Sequence, residues 1–263
     1  MSLVLSDITL RAGDQRLLDQ VGLTTRPGSR VAVLGPNGAG KSSLLSCIAG
    51  ERVYQGRITA AGEDTGAWSP AQRARRMAVM PQSLQVTFPV RVWEVVAMGR
   101  YPWGDEDSTR QWQQAAMLES DVWHLRDRDY QSLSGGEQQR VQLARVLVQL
   151  WQQRQEGGDG CYLLLDECTS SLDPAHQHAV LASARCFAAS GVTVLAVMHD
   201  TALAASWADH VVLMKQGRIV REGEASLLCD AEVLEQTFDL PPALAGRYAC
   251  QNGVWLPGPA DKA

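Results

Sequence analysis

Arg30-Val31-Ala32-Val33-Leu34-Gly35-Pro36-Asn37-Gly38-Ala39-Gly40-Lys41-Ser42 decides how this chain is read. An apolar run enters a glycine-rich turn, and Ser43-Leu44-Leu45-Ser46-Cys47-Ile48-Ala49 leaves it with helical character. The order is strand, turn, helix. Glycines let the backbone wrap closely around an anion, so that successive N–H groups point at phosphate oxygens. The helix start adds its own N–H donors and the positive end of its dipole. Lys41 can reach the outer phosphates, and the Ser42 hydroxyl can ligate Mg2+.

Working outward, residues 1–30 read as β-rich, with Leu3-Val4-Leu5, Ile8-Thr9-Leu10 and Leu17 to Leu23 as strand material. Ser69 to Arg76 reads as a short basic helix opened by Pro70, and Met77-Ala78-Val79-Met80 as a strand stopped by Pro81. From Val90 the chain turns helical: Val92 to Met98, Ser108 to Leu125 and Glu137 to Gln152. This block holds Trp93, Trp103, Trp112, Trp123 and Trp151, five of the eight tryptophans, expected mostly in the core. Residues 155–160 read as a flexible loop. Cys161 to Asp166 and Val192 to Met198 are unbroken apolar runs, as in strands buried on both faces of a parallel sheet. Pro174 to Ala189 and Thr201 to Asp209 are helical, and Val211 to Val220 forms a hairpin around Gln216-Gly217. The Pro- and Gly-containing tail from Pro241 gives no clear element, and Trp255 is expected to tuck against the domain. Alternating strands and helices imply a parallel α/β sheet with the helical block inserted.

Composition narrows the class. In 263 residues, 45% are hydrophobic and 20% charged, enough for a well-formed core. The net charge of −5 is spread along the chain, against nucleic acid as a partner. The N-terminus lacks the pattern of a signal peptide, and no apolar run approaches the roughly 18 residues of a membrane span. The six cysteines, scattered without a CxxC pair, are expected as reduced thiols. Work at a membrane would require docking onto other chains.

Four polar residues follow strands. Gln82 lies after Met77–Met80, Asp166 ends one apolar run, Glu167 succeeds it, and His199 ends the next. Ligands of open parallel sheets bind beyond the carboxyl ends of the strands. Singly, Gln82 reads as a solvated loop residue and His199 as a capping histidine. The adjacent carboxylates Asp166 and Glu167 repel, and a cation resolves that repulsion. Together the four read as one ATPase site: Asp166 for Mg2+, Glu167 to polarise water, and Gln82 for the metal or the water. Leu133-Ser134-Gly135-Gly136-Glu137 reads as a helix start capped by Ser134 and as a second anion site. Two phosphate-binding motifs and one nucleotide invite a dimer in which each copy closes the other's site.

These ordered motifs make the chain resemble the nucleotide-binding subunits of ABC transporters over about residues 1–240. Gly35–Ser42 matches the family's Walker A motif, Gln82 its Q-loop glutamine, and Leu133–Glu137 its signature, with Glu137 in place of the usual Gln. Leu163–Glu167 matches Walker B, Ser171-Leu172-Asp173 the D-loop and His199 the switch histidine. The resemblance implies an α/β fold: a P-loop NTPase (RecA-like) parallel-sheet core with an N-terminal antiparallel β subdomain and an inserted α-helical subdomain. It divides the chain into 1–87, the first part of the core; 88–153, the helical subdomain; 154–240, the rest of the core; and 241–263, a tail. The cofactors implied are ATP and Mg2+. The nucleotide would contact Gly35, Pro36, Asn37, Gly38, Ala39, Gly40, Lys41, Ser42 and Ser43, and in trans Ser134, Gly135, Gly136 and Glu137. Mg2+ would be held by Ser42, Gln82 and Asp166, and catalysis would rest on Glu167, His199 and Gln82.

The partners implied are a second ATPase subunit, an integral membrane permease dimer docked on the helical subdomain and, through it, a periplasmic binding protein. Nucleic acid is not among them. The implied location is peripheral, on the cytoplasmic face of the inner membrane. Val92 to Trp103 is similar to a segment of the importers of haem, iron–siderophore and vitamin B12, with haem importers the best fit in overall length and tail. The alternatives are siderophore or vitamin B12 import, a soluble non-transport ATPase of the same family, or a module that binds ATP without hydrolysis; Glu167 and His199 oppose the last. Two departures stand out. Arg11 and Ala12 occupy the turn where relatives often carry an adenine-stacking aromatic, and Cys168 stands where they nearly always have proline.

Overall fold

The structure, a computed structural model, describes residues 2–82, 86–104, 109–170 and 172–254. Ser108, Ser171 and Trp255, named above, lie outside the described residues. The chain begins with β1 (Leu3–Ala12), β2 (Gln15–Thr24), β3 (Arg30–Leu34), α1 (Lys41–Ala49), β4 (Gln55–Ala60) and β5 (Glu63–Asp64). It continues through α2 (Pro70–Arg76), β6 (Met77–Met80), α3 (Val92–Ala97), α4 (Thr109–Glu119), α5 (Gly135–Gln149), α6 (Trp151–Glu156), β7 (Tyr162–Asp166) and α7 (Pro174–Ala189). It ends with β8 (Thr193–Val197), α8 (Thr201–Trp207), β9 (His210–Lys215), β10 (Arg218–Gly223), α9 (Ala231–Phe238) and α10 (Pro242–Val254). The residues form two units, Met1–Ala67 with Leu195–Ala263, and Trp68–Val194.

In the first unit an antiparallel sheet runs β2-β1-β4-β5, and a mostly parallel one runs β10-β9-β3 with the end of β8 beside β3. β3 and β9 pair in parallel, Val31 opposite His210 and Leu34 opposite Leu213, while β10 is an antiparallel edge. Val31–Leu34 and Val211–Met214 are fully buried, which explains their unbroken apolar sequence. Each Val, Leu and Met side chain among them contributes about 1.5–3 kcal/mol by leaving water.

In the tail, where the sequence gives no clear element, Pro242–Val254 form a helix. Pro242 sits at its first turn, where a missing N–H costs nothing. Ala245, Ala249 and Asn252 form its buried stripe, packed on α8 and α9.

In the second unit β6 pairs with β7 in parallel, and the first residues of β8, Thr193 and Val194, belong to the strand next to β7. Tyr162–Leu165 are fully buried. The helical boundaries differ from the sequence reading. α4 stops at Glu119, and Asp121 then takes a left-handed backbone (φ 52°) that ends the run. α5 begins at Gly135, and a break at Leu150 starts α6, which absorbs Gln155 and Glu156 from the expected loop.

The tryptophans also depart from expectation. Of the five in the helical block, Trp151 alone is in the core; Trp93 is 44% exposed, and Trp103, Trp112 and Trp123 are half-buried under arginines. Arg75 and Arg100 stack on Trp103 at 5.1 and 5.2 Å, Arg100 on Trp112 at 4.6 Å, and Arg126 on Trp123 at 4.8 Å. A guanidinium over an indole face keeps its charge while excluding water from the ring.

Candidate nucleotide site

The phosphate loop of the first unit is built by backbone that only glycine adopts readily. Gly35, Gly38 and Gly40 have φ of 150°, 77° and 99°. A Cβ on Gly35 would lie 2.1 Å from the Met214 carbonyl oxygen, and one on Gly40 would lie 2.7 Å from that of Leu17. Both positions therefore exclude side chains on steric and conformational grounds. The buried Lys41 folds back over the turn and donates to the carbonyls of Gly35 (2.8 Å) and Pro36 (3.0 Å). No side chain caps α1, as expected where an anion is to meet its first turn.

A brace holds this loop from behind, and sequence reasoning missed it. Gly217, in the turn between β9 and β10, donates to the Ala39 carbonyl at 3.0 Å, and its own carbonyl accepts from the Asp19 N–H at 2.9 Å. The Asp19 side chain, 8% exposed, accepts from both Arg218 Nε (2.7 Å) and Nη2, and from Arg16 Nη1 (2.6 Å). Those hydrogen bonds, Arg218's first, hold its carboxyl below the usual carboxylate range. Asp19 and Arg218 are 199 residues apart, so no local signal links them.

His199 is also in this unit. It is exposed and follows β8, between Met198, whose N–H donates to the Val33 carbonyl (3.1 Å), and Asp200, which caps α8 through the Leu203 N–H (2.9 Å). His199, Thr201, Leu234, Phe238 and Tyr248 are among the residues lining a pocket of about 540 Å3.

The second unit brings Gln82 and Glu167 together. Gln82 Nε2 donates to Glu167 Oε2 at 2.6 Å. Asp166 ends β7 and Glu167 leaves it in a left-handed conformation (φ 52°), a backbone state costing a non-glycine residue about 1–3 kcal/mol. The turn is held by Ser170, whose N–H and Oγ donate to the Glu167 carbonyl at 3.2 and 3.0 Å, and by Gln139 Nε2 at 3.4 Å. The next residue, Cys168, is buried, and burial pushes its thiol up to about 12.

The signature segment starts α5 with a reciprocal cap. Ser134 Oγ accepts from the Glu137 N–H (3.4 Å), while Glu137 Oε2 accepts from both the N–H and Oγ of Ser134, each at 2.8 Å. Those two donors, with Arg128 at 3.9 Å, keep the Glu137 carboxyl low. Ser134 and Gly135 are exposed, and Gly136 is half-buried.

In the first unit the residues present fit a magnesium nucleotide: a lysine and an uncapped helix start suit phosphate, and the Ser42 hydroxyl is a hard oxygen donor of the kind Mg2+ takes; in the second unit the Asp166 carboxylate is a donor of the same kind.

The class follows from the first unit alone. A lysine heading a helix and folded onto a glycine turn is the phosphate grip of P-loop nucleotide-binding proteins. Residues 18–170 match the family model described as ABC transporter, and the chain belongs to that family as an ATPase. It is 49% identical over 208 residues to a hemin import ATP-binding protein of Pseudomonas putida, covering 78% of this chain and 80% of the relative. It is 45% identical over 237 residues to a protein of the same description from Gloeobacter violaceus, covering 89% and 86%. Among solved structures, the ADP conformation of an ATP-binding cassette of an ABC transporter matches with a TM-score of 0.76 at 24% identity, over 89% of this chain and 98% of that one. The α/β fold with its added antiparallel sheet is therefore as the sequence led us to expect.

Proposed function

We propose that this chain is the ATP-hydrolysing subunit of an importer that carries haem or a related iron chelate through a separate membrane permease. The observation that carries the reading is its 49% identity to a hemin import ATP-binding protein over most of both chains. No helix among the described residues is long and apolar enough to cross a membrane, so the reading places transport in a permease bound at the cytoplasmic face. A periplasmic binding protein would feed that permease. Residues 88–153 would carry the permease contact, and 1–87 with 154–240 the nucleotide core.

In this reading two copies pair and trap two ATP molecules. Lys41 and the phosphate loop, residues 35–43, hold the phosphates of one nucleotide, and Ser134, Gly135, Gly136 and Glu137 of the second copy close over it. Ser42, Gln82 and Asp166 would hold Mg2+, which neutralises phosphate charge when bound. Glu167 orients the attacking water and takes its proton, Gln82 holds the Glu167 carboxylate, and His199 contacts the γ-phosphate. Fixed donors aimed at developing charge are the main catalytic resource in such a reaction.

The test is growth of a deletion strain on haem as sole iron source. Restoration by the intact chain but not by Glu167→Gln is expected. Undiminished haem use by the deletion strain would overturn the reading.

A further inference from the structure

The C-terminal helix reaches the turn that carries His199. Asn252, on α10, is completely buried. Its Oδ1 accepts from Thr201 Oγ1 at 3.0 Å, and its Nδ2 donates to the Leu228 carbonyl at 2.6 Å. Both ends of the amide are used, so its orientation is fixed. Thr201 is the first residue of α8 and lies two positions after His199.

Three of the described contacts pin the turn. Met198 is tied to β3 through the Val33 carbonyl, Asp200 caps α8, and the Thr201 hydroxyl is held by Asn252. The first two anchors are an ordinary sheet hydrogen bond and a helix N-cap. The third comes from a segment 51 residues downstream and serves no backbone group of the turn. A buried amide that spends one end on a carbonyl and the other on a hydroxyl is stiff, because losing either bond leaves a polar group buried and unsatisfied. His199 itself is exposed on this turn, and α10 contributes Tyr248 and Gln251 to the pocket it lines.

We propose that Asn252 is a positioning residue for His199: through Thr201 it sets the direction in which the imidazole projects, making α10 part of the hydrolytic machinery. The inference rests on the reading that His199 meets the γ-phosphate. A small displacement of such a group reduces the chemical step without removing nucleotide contacts, which lie on a different loop.

The experiment compares Thr201→Val, which keeps shape and removes the hydroxyl, with Thr201→Ser, which keeps it, alongside Asn252→Ala. ATPase kinetics of each are measured on the purified chain, together with the imidazole NMR signals of its five histidines. Expected for Thr201→Val and Asn252→Ala is a kcat lower by about tenfold with KM for ATP nearly unchanged, and a moved His199 resonance beside four unmoved ones. Thr201→Ser should stay near the parent on both measures. If Asn252→Ala fails to fold, the Thr201 pair carries the test. Full kcat in Thr201→Val, an unmoved His199 signal, or loss in Thr201→Ser equal to that in Thr201→Val would overturn the proposal. His199→Ala separates the two readings: full activity there removes His199 from catalysis, whereas its loss beside normal Thr201→Val kinetics refutes only the role of Asn252.

Discussion

The side-chain amide of Gln82 donates to the carboxylate of Glu167 across 2.6 Å, joining the residue after β6 to the residue after β7. The two strands are parallel neighbours, with Met80 opposite Leu165, so both chains leave the sheet at the same edge. The amide fixes one of the Glu167 oxygens. On the proposed function, that contact orients the general base before water arrives.

Glu167→Gln keeps the size of the side chain and, on the proposed function, removes the base. Turnover should fall by about 10²–10⁴ while ATP still binds, since losses of that size are usual when a positioned base is removed. Steady-state phosphate release and a nucleotide-binding titration on the same preparation check both halves.

Lys41→Ala should act differently. The lysine is buried on the glycine turn and donates to the Gly35 and Pro36 carbonyls, so on the proposed function its removal takes away the phosphate contact. Affinity for ATP should drop with little change in thermal midpoint, measured by fluorescent-nucleotide binding and by melting.

The brace behind the phosphate loop is pH-dependent in a direction fixed by Asp19. Its carboxyl is depressed in the folded chain, chiefly by Arg218. A depressed carboxyl contributes stability above its unfolded value of about 4, and that contribution is lost as pH falls through the folded value. The parent should therefore melt above Asp19→Asn at pH 7, and the gap should close only at pH values below the ordinary carboxylate range. Melting curves of both from pH 7 to 3 test this; a gap that widens on acidification contradicts it.

How much of this was readable beforehand depends on the range of the signal. The phosphate loop is local: its glycines, lysine and flanking apolar strand fall within one short stretch, and the structure keeps that order. The buried strands β7 and β8 are legible because a strand covered on both faces has no polar alternation to hide it. α10 was not, because its buried stripe is made of small residues, Ala245, Ala249 and Asn252, between glycines that weaken helix propensity. The Asp19–Arg218 and Thr201–Asn252 contacts join distant segments, and single residues of these types carry no mark of their partners. The arginine-covered tryptophans were misread for a related reason: apolar area suggested the core, but stacking partners came from α2 and from turns outside the block's own periodicity.

The cysteines offer a check on packing. Cys47, Cys161 and Cys168 are buried, and desolvation raises their thiols to about 11, 11 and 12, whereas Cys186 and Cys250 are exposed. A maleimide at pH 7 should modify Cys186 and Cys250 first, and the three buried thiols only after unfolding, because the thiolate is the reacting form. Rapid native labelling of Cys168 would place the turn after Glu167 in a different arrangement.

The pairing of two copies around trapped nucleotide is most directly tested by the mass of Glu167→Gln in solution with MgATP, read by light scattering. We expect about twice the 28.6 kDa of one chain, returning to one chain when the nucleotide is removed. A mass that stays at one chain while ATP is demonstrably bound would contradict it.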